Sequence, residues 1–270
     1  MGIVETARLS LLSDKEYYGA YGQYMSVSLL KKFAEDPLGF DEYMLNRKEN
    51  EKPTDALVMG QATHLAIMEG WDDFDREYVV TDELVNPRSG KTYGRGSQKF
   101  QDTCEKLGVN PWRALSTYDV ESIKQMDNAI RGDLEASAAI SGCTKIEWAI
   151  RGKLHGVPFQ GKLDGCDDNG NIVDLKTMRP DSTVIEQIYN YRYTWQAYAY
   201  NVLYAAATGM DPKDVTFTFV FVTKEESPRV SVVTYGFKDL VDAGFRVGSA
   251  LNAYRISGKD RRLALFELEE

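Results

Sequence analysis

The sequence predicts an α/β (α+β) fold, a central sheet flanked by helices, carried by a single domain over residues 1–270. Three observations predict it. Residues 145–176 hold three consecutive strand patterns, residues 215–222 and 229–235 hold two more, and 3.6-residue apolar periodicity occupies most of the remainder. At 270 residues with 43% hydrophobic content, including 16 Tyr, 11 Phe and 4 Trp, the chain can close a full core.

Taken in order, residues 1–25 are Tyr- and Gly-rich and are expected to form an extended N-terminal arm. Residues 26–140 form a mainly helical part. Ser26-Val-Ser28 caps a helix running to about Tyr43, with Pro37 as a break. A second helix starts on Thr54-Asp55 and stops at Gly70; it is apolar nearly all round, which predicts burial, and it carries His64 one turn after Gly60. Gly60 would let the sheet approach closely. Tyr78-Val-Val80 is strand-like, and helical patterns follow at 97–108 and 117–140. Residues 141–235 hold the sheet. Lys145–Arg151 alternates Ile146, Trp148 and Ile150 against Glu147 and Ala149. A helix near 182–190 and another over 192–208 separate the hairpin that follows from the last two strands. A helix over 237–256 and a tail complete the segment 236–270.

The hairpin at 157–176 organises the chemistry. Residues 157–164 alternate, Asp167-Asp-Asn-Gly170 supplies turn residues, and Ile172–Lys176 resumes the strand. Residues two apart on a strand share a face, so Asp174 and Lys176 project together and Val173 and Leu175 project oppositely. Asp164 ends the first strand, where pairing can bring its carboxylate beside Asp174. Carboxylates and an ammonium leaving one sheet are costly unless a cation or an anionic ligand uses them. The arrangement suits a divalent metal and a phosphate. Exposed Asp–Lys pairs are common on strands, and the pattern alone leaves a solvated pair open. Asp167 and Asp168 read as turn residues only, and His155, in the turn before the hairpin, as a surface residue.

Composition narrows the class further. The net charge of −9 argues against nonspecific coating of nucleic acid, though not against a local basic channel. Cys104, Cys143 and Cys166 form neither a disulfide framework nor a CxxC clip, and an iron–sulfur cluster needs four thiolates; a reducing cytoplasm fits. No apolar run is long enough for a membrane span, and residues 1–8 lack a secretion signal. Arg88, Lys91, Arg95 and Lys99 punctuate a loop over 85–100 that carries no acid, either a phosphate-backbone contact or a solvated flexible loop. Gly90-Lys-Thr92 lacks the glycine and the leading strand of a P-loop. Two histidines and no nucleophile elbow leave no Ser or Cys triad to build.

The order of these elements is a helix with Gly60-xxx-His64, a strand with Glu147, a strand ending in Asp164, a strand with Asp174-x-Lys176 and a helix with Gln196-xxx-Tyr200. It resembles a PD-(D/E)XK restriction-endonuclease-like core, in which the central sheet is mixed. More narrowly, it resembles the phage-type RecE/exonuclease VIII family, which the Ser26-Val-Ser-Leu-Leu helix and the Thr54-Asp-Ala-Leu helix also match. Leu163 stands before Asp164 where the literal signature has Pro. The resemblance implies that His64, Asp164, Asp174 and the backbone carbonyl of Leu175 bind Mg²⁺, with Mn²⁺ able to substitute. Lys176 would position the attacking water and stabilise phosphorane charge. Gln196 and Tyr200 would contact substrate or brace the site, and Glu147 would join the metal shell or serve structure. It further implies a 5′-to-3′ exonuclease on double-stranded DNA ends, yielding 5′-mononucleotides and a 3′ single-stranded tail for a single-strand annealing recombinase. A homo-oligomer such as a tetrameric ring comes with it. An endonuclease or single-strand nuclease of the same fold and a non-catalytic DNA-binding subunit are the alternatives.

Overall fold

The structure, a computed structural model, describes residues 3–20, 22–50 and 54–258, with the backbone alone for 47–50. The tail expected after residue 258 lies outside the described residues. The N-terminal segment is not an arm. It forms β1 (Val4–Ser10) and, after Ser13, α1 (Asp14–Gly19). Ser13 and Glu16 make a capping box that fixes the start of α1. Pro37 breaks the next helix as expected, into α2 (Val27–Glu35) and α3 (Phe40–Asn50).

Helix α4 (Asp55–His64) continues through one π-helical turn, Leu65–Glu69, into α5 (Trp71–Glu77). The first turns of α4 are not buried, and Leu57 is 44% exposed. Short strands β2 (Val79–Val80) and β3 (Ala114–Leu115) pair in parallel around α6 (Gln98–Leu107). The pattern read over 117–140 divides at Asp133, which caps α8 (Leu134–Ser141) just after α7 (Thr117–Gly132).

Strands β4 (Lys145–Leu154), β5 (Val157–Cys166) and β6 (Asn171–Met178) form the three-strand antiparallel run read from the sequence. Helices α9 (Val184–Asn190) and α10 (Tyr193–Thr208) cross over to β7 (Thr216–Thr223). Then come β8 (Val230–Gly236) and α11 (Val241–Ile256). The main sheet has six strands ordered β1-β4-β5-β6-β7-β8. Within this sheet only β6 and β7 pair in parallel, and the two helices between them make the crossover. The sheet is mixed.

Each face of the sheet carries its own core. Leu30 and Phe33 of α2, Leu203 and Tyr204 of α10, and Phe159, Phe217 and Phe219 pack on one side. Val58, Ala62, Ile123 and Met126 pack on the other, against Val173, Leu175, Val220 and Val222. Strand β6 therefore splits as its alternation predicts, with Ile172 to the first layer and Val173 and Leu175 to the second. Each buried aliphatic or Phe side chain contributes roughly 1.5–3 kcal/mol. His155 is half-buried rather than fully exposed: with Gly156 it makes a two-residue turn of positive φ, 48° and 79°, and its ring packs over Gly248 of α11.

Candidate active site

The site is built where strands part. Strand β5 pairs with β6 only at Gly165↔Val173 and Cys166↔Ile172. Towards its start β5 instead takes Met25, whose amide donates to Pro158 O at 2.8 Å and whose carbonyl accepts from Gln160 N at 2.8 Å. Gly161 lies under Tyr200 of α10, whereas Gly165 lies under Met68 and Cys143 of the opposite layer. Strand β5 thus changes the face it presents at Asp164. Register places Glu147 opposite Asp164, flanked by Ile146↔Gly165 and Trp148↔Leu163. Glu147 has φ 59°, a left-handed conformation that costs a non-glycine residue about 1–2 kcal/mol. Such strain concentrates at functional positions.

Six of the expected residues meet there. Asp174 is 1% exposed, and its carboxylate is held by the Gln196 amide of α10 and by the Lys176 ammonium. Asp164 Oδ2 accepts from Leu175 N at 2.8 Å. His64 sits at the end of α4, where the π turn begins. Its Nε2 lies 2.5 Å from the Leu175 carbonyl and its Nδ1 lies 3.3 Å from Asp164 Oδ2. An Nε2–H donated to the carbonyl leaves the Nδ1 lone pair facing a carboxylate, so a proton or a cation must lie between them. Burial, then the neighbouring charge of Asp174, raises the Asp164 carboxyl to about 7. Asp174 and Asp164 hold the Lys176 ammonium above its ordinary range despite its burial. It stays charged at neutral pH.

The donors fit a hard divalent cation. One ligand atom each from His64, Glu147 and Asp164 lies within 4.8 Å of the others, and the Leu175 carbonyl adjoins them. Carboxylate and carbonyl oxygens with one imidazole suit Mg²⁺ or Mn²⁺. Glu147 thereby joins the candidate ligands more directly than Asp174, whose oxygens are engaged by Gln196 and Lys176. Glu147 also pairs with Lys162 at 2.6 Å, and Lys162 with Asp14 at 2.9 Å. Tyr200 is a brace. Its ring fills the space above Gly161, where a Cβ would fall 2.5 Å from Cζ, and its hydroxyl meets the Lys162 amide.

The basic loop divides. Arg88, Lys91 and Lys99 are exposed, but Arg95 is 3% exposed and turned inward. Its guanidinium donates to Pro111 O at 2.7 Å and stacks on Phe100 at 4.9 Å, while Asp55 stands 3.5 Å from Nε. Arg95 is a core cation pinning the loop to α4 and α6, and it does not reach a DNA backbone. Sequence reasoning missed Lys31 and Tyr193, which meet Lys176: the Lys31 and Lys176 ammonium groups stand 5.5 and 5.2 Å from the Tyr193 ring centroid. Tyr193 lies one turn before Gln196 on α10, and extending the Gln196/Tyr200 face by that turn would have found it.

A mixed sheet that parts at two aspartates, with Lys176 two residues beyond the second, defines a nuclease of the PD-(D/E)XK superfamily. Residues 26–255 match the family described as PDDEXK-like domain of unknown function (DUF3799), and the chain belongs to it. No curated protein matches the sequence. The fold is similar to a crystal structure described as "Putative exonuclease" from Eubacterium rectale, with TM-score 0.64 and 19% identity, covering 93% of this chain and 87% of that one. A crystal structure of Scheffersomyces stipitis Rai1 in complex with (3′-NADP)⁺ and calcium ion aligns at TM-score 0.26 and 12% identity, over 94% of this chain and 75% of that one. That likeness is too low to inform the site.

Proposed function

We propose that this chain is a divalent-metal-dependent exodeoxyribonuclease that degrades linear double-stranded DNA 5′-to-3′, releasing 5′-mononucleotides and leaving a 3′ single-stranded tail. The observation that carries the nuclease chemistry is the convergence of His64, Asp164, Glu147 and the Leu175 carbonyl beside the Asp174–Lys176 pair. A divalent ion held there supplies Lewis acidity, lowering the pKa of water and neutralising phosphate charge. Lys176, kept protonated by its two aspartates, is a fixed positive charge where negative charge grows on the phosphorus oxygens. Gln196 keeps Asp174 aimed at Lys176, and Tyr200 keeps β5 at its distance from α10.

Direction, end product and partners rest on the resemblance to the RecE/exonuclease VIII family and on the neighbouring protein described as an exonuclease. In that reading the tail passes to a single-strand annealing recombinase, the chain works in the cytoplasm as a homo-oligomer such as a ring, and Mg²⁺ is the working ion. No helix among the described residues is long and apolar enough to cross a membrane. The test is digestion of linear duplex DNA labelled at the 5′ or 3′ end, with Mg²⁺ or with EDTA, beside a covalently closed circle. Mg²⁺-dependent loss of the 5′ label with the circle intact is expected. A cut circle makes the chain an endonuclease, and no cleavage in any metal makes it a DNA-binding subunit.

A further inference from the structure

An aromatic stack that the chemistry above does not use leads away from Lys176. The Lys176 ammonium stands 5.2 Å from the Tyr193 ring centroid. Tyr193 in turn stacks on Tyr191, with centroids 5.6 Å apart and planes 19° from parallel. The inner ring is held against the sheet, 5.4 Å from the ring of Phe219 and 6.0 Å from that of Phe221. Those two residues stand in register with Asp174 and Lys176 across the β6–β7 pair, so the stack is fixed relative to the strand that carries the centre. Between the two tyrosines Arg192 takes the left-handed conformation, φ 48°, which is unfavourable for a residue with a Cβ and joins α9 to α10.

The outer ring is open. Tyr191 is 54% exposed, whereas Phe219 and Phe221 are buried. A single exposed aromatic residue is ordinary, but this one continues a row of rings that starts at Lys176. Its centroid lies no more than about 11 Å from the Lys176 ammonium, the two steps being 5.2 and 5.6 Å. Stacked nucleotides advance about 3.4 Å each along a strand, so the span is about three nucleotides. The chemistry of the ring selects its ligand. Its π face is negative and repels a phosphate, yet it stacks on another flat ring. Every nucleobase has such a face, and aromatic side chains hold single strands by this contact. Inside a duplex both faces of a base are covered by its neighbours, so only a terminal or unpaired base can take the position without unstacking.

We propose that the exposed ring of Tyr191 is a stacking platform for an unpaired base of the DNA strand being cut, within about three nucleotides of the phosphate at Lys176. The inference rests on the nuclease reading and deepens it. Tyr191 is then a substrate-positioning residue, and a platform that only an open base can occupy favours strand ends over closed duplex.

The test is equilibrium binding of dye-labelled duplexes to the whole chain, in EDTA so that the readout does not depend on turnover. Each duplex ends in a short single-stranded extension, 5′ or 3′, that carries either bases or abasic sites. Wild type should bind one of the abasic extensions roughly fivefold to a hundredfold more weakly than its intact counterpart, the scale of one lost base–aromatic stack. Tyr191→Ala should show that loss on the intact extension and no further loss on the abasic one. Tyr191→Phe, which keeps the ring without the hydroxyl, should match wild type, and Tyr191→Leu should not. In Mg²⁺ the same pattern should appear in KM more than in kcat. Losses from Tyr191→Ala and from the abasic sites that simply add, or wild-type affinity in Tyr191→Ala, overturn the platform and leave the nuclease reading standing. A wild type that neither binds these duplexes nor cuts them in Mg²⁺ removes both. Should Tyr191→Ala fail to fold, the wild type alone decides, and equal affinity for intact and abasic extensions overturns the platform.

Discussion

Burial and the charge of Asp174 push the Asp164 carboxyl well above its ordinary range, and its proton carries a measurable signature. Its folded pKa of about 7 lies above the value near 3.9 of an unfolded chain. Between those values the native state binds a proton that the unfolded state has released, so stability falls as pH rises from about 4 to 7. Thermal unfolding in EDTA should show this loss in wild type, and Asp164→Asn should remove it, melting above wild type at pH 8. The same pH dependence in both proteins would assign it elsewhere. Lys176 makes the complementary case. Lys176→Ala should lower cleavage at least 10²–10³-fold, the scale of one lost charge-stabilising donor. Binding of Mn²⁺, followed by calorimetry, should survive the substitution. Retained cleavage would remove Lys176 from the chemistry.

Among elements, β5 and α10 have to be considered together. Gly161 is required because the Tyr200 ring occupies the place of its side chain, and Tyr200 is 8% exposed with little room to retreat. Gly161→Ala should destabilise the protein by about 1–3 kcal/mol in urea unfolding. The cost should shrink in a Tyr200→Ala background, and strict additivity would show that the two residues do not compete for space. Gly60 behaves differently: a Cβ there would meet only Thr177 Oγ1 at 3.9 Å, an ordinary contact, so its absence does not govern how α4 approaches β6. The π turn after His64 adds a residue to the helix at the point where the imidazole must reach the Leu175 carbonyl.

For the whole molecule, the site sits at the junction of both cores, with His64 arriving from one layer and Gln196 from the other. Metal binding should therefore report as global stability. Mg²⁺ or Mn²⁺ at about 100 times its Kd should add about 2.7 kcal/mol to unfolding of the wild type. His64→Ala and Glu147→Gln should lose most of that increment when melting is compared with and without metal. An undiminished increment in both would place the ion elsewhere.

The sequence by itself determined the element order, the 157–176 hairpin, the shared face of Asp174 and Lys176, and the helices bearing His64 and Gln196. These follow from periodicity and turn chemistry, which act over a few residues. It did not show that residues 4–10 are an edge strand, because the partner of Leu9 is Ile150, far along the chain, and only pairing gives the segment its structure. Nor could it tell Arg95 from its loop neighbours Arg88, Lys91 and Lys99: all four are the same chemistry in one dimension, and burial under Phe100 and Pro111 separates them only in three. Glu147 came within reach of His64 and Asp164 only once register set it opposite Asp164. Lys31 met Tyr193 only once α2 had packed on the same face of the sheet as α10, whose residues follow it by more than a hundred positions. Local sequence dictates local geometry; convergence of charges from distant segments is decided by which buried surfaces fit, and that is a property of the folded chain.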